Sequence, residues 1–169
     1  MMCTGDSDGG FPTEMCSVLG NTVRDIPAWD GIMCHDADQL LVAYNQFKNV
    51  LTGVDIGAFA GTNVIKNIQV LGNYCEGTAT DTWAAADAVN TGIKIGGFSG
   101  SNLAKGVEVH DNIVKGFLRH STAVMFGGIC LHNVEDFAVS GNAVIDNGIN
   151  TSYDPSGGIY FNGTIRNGS

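Results

Sequence analysis

The chain writes nearly the same sentence twice. GVDIGAFAGTNVIKNIQVLGN (53–73) and GIKIGGFSGSNLAKGVEVHDN (92–112) hold glycine, phenylalanine, asparagine and lysine in step. A repeat this short cannot bury its own apolar face, so it must stack on further copies. Weaker copies are present: alternating stretches open at Met1, Gly31, Gly53, Gly92, Gly128 and Gly158. The first five are followed by CSVLGNTV, LLVAYNQF, IQVLGNYC, VEVHDNIV and FAVSGNAV. Each places an asparagine (Asn21, Asn45, Asn73, Asn112, Asn142) three residues after a valine.

Alternation with period two sends one set of side chains inward and the other outward along a strand. In the first strand the inward set reads Met1, Ile32, Val54, Ile93, Ile129, Ile159, then Cys3, Cys34, Ile56, Ile95, Leu131, Phe161. The second strand gives Cys16, Leu40, Ile68, Val107, Phe137, then Val18, Val42, Val70, Val109, Val139. Beyond each asparagine, Val23, Phe47, Cys75, Val114 and Val144 supply a short third strand. Asparagine tolerates the left-handed backbone of a sharp bend, and stacked copies can hydrogen-bond as a ladder. Insertions confined to loops account for the irregular spacing. The pattern predicts an all-β fold, a parallel β-helix of about six coils with three short strands per coil and long loops on one edge. Residues 1–169 read as a single domain. Met1 already lies in an inward column and no capping element closes the chain, so the expectation is a segment of a longer protein, or a subunit whose ends are covered by partners.

The glycine-isoleucine strand followed by a valine-x-glycine-asparagine bend resembles the right-handed parallel β-helix (pectin lyase-like) superfamily of pectate lyases, polygalacturonases and phage tailspikes, over essentially the whole chain. The resemblance implies one chain wound right-handed, a polysaccharide as partner, and lyase or glycoside hydrolase activity in a groove beside the first strand and the loops preceding it. It also implies an extracellular or virion-surface location and, for the tailspike-like members, a homotrimer. The family's catalytic signatures are absent. There is neither an arginine-x-x-proline-x-x-arginine run nor the asparagine-threonine-aspartate, paired-aspartate and glycine-histidine-glycine motifs, so no catalytic residue carries over.

The formal charge is −9, and the eight basic residues are scattered along the sequence. Nucleic acid, which requires clustered positive charge, is therefore not an expected partner. No apolar run is long enough to span a bilayer, and no membrane partner is expected. No cofactor is required by any motif. GDSDGG (Asp6, Asp8) and HDAD (Asp36, Asp38) fall at corresponding bends, where carboxylates could gather calcium, although acidity also serves solubility alone. Of five cysteines, Cys3, Cys16, Cys34 and Cys75 take inward positions, where a thiol packs as a small apolar group. Cys3 and Cys34 would lie one coil apart, and Cys130 points outward.

Function is then expected on the outside. The segments after the third strand are 24–30, 76–91, 117–127 and 147–157, and long loops on a rigid repeat usually form its binding face. They carry Trp29, Asp30, Trp83, Asp87, Tyr153 and Asp154, which with Tyr160 offer the aromatic faces and carboxylates that sugar rings bind. Residues 83–89 are alanine-rich enough for a short helix. The outward column of the first strand reads Met2, Met33, Asp55, Lys94, Cys130, Tyr160, then Thr4, His35, Gly57, Gly96, His132, Asn162. Lyase chemistry needs a base and a cation, which Lys94, Arg119, His120, His132 and Tyr160 could supply. Hydrolysis needs two carboxyl groups, for which Asp55 with Asp30 or Asp87 would serve. Asp55 and Lys94 also read as a plain surface ion pair. Lys66 would approach Lys105, exposed to solvent or bridged by an anion. Two functions follow: a carbohydrate-active β-helix, or a non-catalytic structural or adhesive module stacking end to end.

Overall fold

The computed structural model describes residues 2–4, 13–57, 65–78, 91–96, 103–117, 128–147 and 158–169. Among them are strands and no helix: β1 (Met2–Thr4), β2 (Thr13–Leu19), β3 (Thr22–His35), β4 (Ala37–Ala43), β5 (Gln46–Gly57), β6 (Ile65–Leu71), β7 (Tyr74–Gly77), β8 (Ile93–Gly96), β9 (Ala104–His110), β10 (Ile113–Lys115), β11 (Ile129–Ser140), β12 (Ala143–Ile145) and β13 (Ile159–Gly168). All thirteen join one sheet, and every pairing is parallel. The fold is all-β.

The pairings fall into three ladders. The first runs through β1, the later part of β3 and β5, β8, and the starts of β11 and β13. The second joins β2, β4, β6, β9 and the later parts of β11 and β13. The third joins the starts of β3 and β5 with β7, β10 and β12.

The inward columns expected from alternation are the observed registers. Ile32, Val54, Ile93, Ile129 and Ile159 are successive partners, as are Cys34, Ile56, Ile95, Leu131 and Phe161. The second ladder aligns Cys16, Leu40, Ile68, Val107, Phe137, and the third aligns Val23, Phe47, Cys75, Val114, Val144. Residues of all three ladders meet in one apolar cluster. Each fully buried aliphatic side chain there contributes roughly 1.5–3 kcal/mol relative to exposure. Cys3 and Cys34 are register partners, and Cys34 is buried.

Why the repeats at Gly31, Gly53, Gly92 and Gly128 open on glycine is a matter of space. A methyl group on Gly53 would stand 2.5 Å from the Gly92 carbonyl oxygen and 2.7 Å from the Cys75 sulfur, and one on Gly92 would run into Val114. Glycine is where the third strand's apolar residue packs on the neighbouring backbone.

The asparagines form the expected ladder. Asn21, Asn45, Asn73 and Asn112 each donate from Nδ2 to Oδ1 of the asparagine in the next repeat, at 2.9–3.1 Å. Their backbone N–H groups donate to the same oxygens. The left-handed residue, however, is not the asparagine but the one before it: Gly20, Tyr44, Gly72, Asp111, Gly141, with φ between 56° and 65°. The bend is made by the preceding residue, which leaves the asparagine backbone free to aim its amide inward.

Residues 24–30 correct a second expectation. They are not a loop but the middle of β3, which continues from the third ladder into the first. Ile26 pairs with Val50 and Asp30 with Thr52, so two extra residues are absorbed by a shift of register around Pro27. A bulge suits proline, which has no N–H to give a ladder, and it turns Trp29 outward.

Candidate functional site

The first ladder's outward row brings together residues far apart in sequence. Met33, Asp55, Lys94, Cys130 and Tyr160 are successive partners on β3, β5, β8, β11 and β13. His35, Gly57, Gly96, His132 and Asn162 form the adjacent row. Outward does not mean exposed. Lys94 Nζ donates to Asp55 Oδ2 at 2.8 Å, and both side chains are only 13% exposed. The plain surface pair expected from the sequence is thus a largely buried one. Cys130, although it points away from the core, is fully buried.

Burial sets the chemistry of this row. Asp30, hydrogen-bonded to Thr52, is pushed up from the ordinary carboxylate value to about 6, first by desolvation and then by repulsion from Asp55; Thr52 and Lys94 oppose the rise. Two carboxyl groups within electrostatic reach therefore differ in state: one readily holds a proton while the other is bound to an ammonium. Desolvation pushes the Cys130 thiol up to about 12, which removes it as a nucleophile at neutral pH. Desolvation and Lys94 lower His132, favouring a neutral imidazole.

Asp55 Oδ1 is buried and accepts no hydrogen bond among the described residues, and the same holds for Thr91 Oγ1. A buried acceptor without a donor costs about 1–3 kcal/mol, so Asp55 Oδ1 is disposed toward a hydroxyl or a water. Trp29 stands 63% exposed at the bulge beside Asp30, and Tyr160 is half-buried at the end of the row. The structure thus assembles Asp30, Asp55, Lys94, His132 and Tyr160 on one ladder, with Trp29 at its margin. Trp83, Asp87, Arg119, His120, Tyr153 and Asp154, and the helix expected over 83–89, lie outside the described residues, as do Asp6 and Asp8.

Sequence reasoning passed over Thr52 and Thr91. Each precedes the strand glycine in a repeated Thr-Gly pair, a signal that was visible but carried no evident chemistry until Asp30 was placed beside Thr52.

The remaining candidates sit elsewhere. Asp38 is engaged by Lys66 at 2.8 Å and by Asn67 Nδ2 at 3.0 Å, which holds its carboxyl below the usual range. Asp36 is buried in a left-handed bend after β3. Among the described residues, no three His, Cys, Asp or Glu side chains gather as a metal site. Lys66 and Lys105 are register partners, and each is neutralised within the chain, by Asp38 and by Glu135 at 3.0 Å; no bridging anion is needed.

Comparison with protein-family models, curated proteins and solved structures finds no match to this chain.

Proposed function

We propose that the three ladders are the faces of a right-handed parallel β-helix and that the outward row of its first face is a glycan-cleaving groove. The convergence of all three sets of inward columns on one core supports the coil. The handedness follows from the near-universal right-handed sense of parallel crossovers. Similarity of the repeat to the pectin lyase-like superfamily supports a polysaccharide partner, in an extracellular or virion-surface setting.

The observation that carries the chemistry is the inequality of the two carboxyl groups. Asp30 holds a proton at mildly acidic pH, whereas Asp55 is fixed by Lys94. Of the two chemistries open to such a fold, this pairing favours hydrolysis over elimination. Asp30 gives its proton to the glycosidic oxygen as the bond to the anomeric carbon breaks. Asp55 acts on the opposite side, as nucleophile or as the base that activates water. Lys94 orients Asp55, and Trp29 offers a flat face to a sugar ring.

The test is incubation with a panel of neutral and acidic polysaccharides. New reducing ends without unsaturated products are expected, with activity falling as pH rises through about 6 as Asp30 loses its proton. Asp30→Asn and Asp55→Asn should each lower the rate by about 100-fold or more. Unsaturated ends would replace hydrolysis by a lyase.

One observation favours a second reading, a non-catalytic module that assembles through its ends. Ile159, Phe161 and Ile165 on β13 are 37–42% exposed, and they border an apolar concavity of about 650 Å³ with Phe137 and Val139. Binding of polysaccharide without cleavage, together with concentration-dependent association, would favour it.

A further inference from the structure

A different face carries a vacancy. Within the second ladder each repeat contains one left-handed residue, and these align: Met15, Gln39, Asn67, Gly106, Asp136 and Asn167, with φ between 50° and 64°. Where the residue is an asparagine, its side chain reaches back to the carboxylate of the preceding repeat. Asn67 donates to Asp38 at 3.0 Å and Asn167 to Asp136 at 2.9 Å. Gly106 has no side chain with which to continue this row, and at that point the surface opens into a notch of about 390 Å³.

The lining is specific in kind. Leu41 contributes apolar surface, while Gln39, Asn67, Gln69 and Glu108 bring three amides and one carboxylate. Gln69 Nε2 donates to Glu108 Oε2 at 2.9 Å, so the pair forms one connected edge. Amides that both give and accept hydrogen bonds, one acceptor-only carboxylate and an apolar patch suit a pyranose with free hydroxyls and an apolar CH face. Among the described residues no cation lines the notch, and Glu108 would repel a carboxylated or phosphorylated sugar.

We infer that this notch is a secondary binding site for an uncharged sugar unit, on a ladder separate from the Asp30 and Asp55 row. The ligand class rests on the carbohydrate reading above; the notch itself rests on the gap at Gly106. Such a site would hold a glycan on the protein while another portion occupies the first ladder, a gain through effective concentration.

The test titrates the intact protein with maltotriose, cellotriose, mannotriose and trigalacturonate, followed by calorimetry or by NMR. At least one neutral trisaccharide should bind at millimolar concentration or better, and trigalacturonate about tenfold more weakly. Gly106→Asn places an amide where Asn67 has one in the preceding repeat, in a backbone conformation asparagine tolerates; a Cβ there would meet Asn67 Oδ1 at 3.3 Å. This variant and the milder Gln69→Ala should each weaken binding about tenfold while thermal unfolding is retained. Absence of neutral binding, preference for trigalacturonate, or full affinity in both notch variants would overturn the inference. Polysaccharide cleavage that persists while the notch variants lose nothing would sink this site alone. Notch binding without any cleavage would sink only the catalytic reading.

Discussion

The asparagine row and the row through Asp55 are both stacks of polar side chains along the same sheet, yet they are built on opposite plans. In the first, one residue type recurs five times, and the interior members are buried with their amides engaged on both sides. In the second, methionine, aspartate, lysine, cysteine and tyrosine follow one another, and a buried carboxylate oxygen lacks a donor among the described residues. Uniform repetition satisfies every group and holds the stack. A change of chemistry at each step sacrifices that satisfaction, and this is the mark of a surface shaped by something other than stability.

The comparison can be broken most directly at Asn73. Its amide serves Val42 O and Asn112 Oδ1, and its own Oδ1 receives Asn45 N and Nδ2. Asn73→Ala orphans several buried groups at once and should cost on the order of 4 kcal/mol, read by denaturant unfolding. Next comes Lys94→Met, which strands Asp55 without its counter-charge and should cost about 3 kcal/mol or more. The double variant Asp55→Leu with Lys94→Met should recover most of that loss, because an apolar pair replaces a buried ion pair at little net cost. Activity should stay absent. No comparable exchange should rescue the asparagine row, and if one did, the distinction between the two rows would fail.

Asp30 gives an intermediate effect with a defined pH signature. Its folded value lies above the unfolded one, so its contribution favours the folded state most below about pH 4 and is lost as pH rises through about 6. Asp30→Asn should therefore raise stability near pH 8 by on the order of 2 kcal/mol and change it little near pH 4, while lowering the proposed cleavage by about 100-fold or more. Thermal melts at the two pH values decide this; an equal shift at both would mean that the carboxyl group is not under strain. The smallest change expected is at Lys66, itself half-exposed above Asp38: Lys66→Ala should cost only about 1 kcal/mol, because Asn67 still donates to the Asp38 carboxylate, with the difference shrinking at high salt.

Much of the fold was legible because a parallel ladder demands that equivalent positions share a property. The inward columns, the asparagines and the outward rows could be aligned by eye, and their observed partners are the expected ones. The left-handed positions in the second ladder were not legible: methionine, glutamine, asparagine, glycine and aspartate occupy them in turn, and a backbone requirement met by so many residue types leaves no pattern. The states of Lys94 and Cys130 were hidden for a different reason. Alternation tells which side of a strand a residue takes, but it cannot tell what else lies on that side. Residues 24–30 misled because their Pro-Ala-Trp-Asp composition looks like a loop, whereas a bulge admits the same residues without ending the strand.

The asparagine chain also has a direction: each interior member gives one amide hydrogen to the asparagine of the next repeat and the other to a valine carbonyl of the preceding one. A whole repeat can therefore be spliced between any two neighbours, or removed, and the joint heals with the same bonds it had before. A gene carrying this device can lengthen its product by copying one unit, and the segments 53–73 and 92–112 agree at nine of 21 positions.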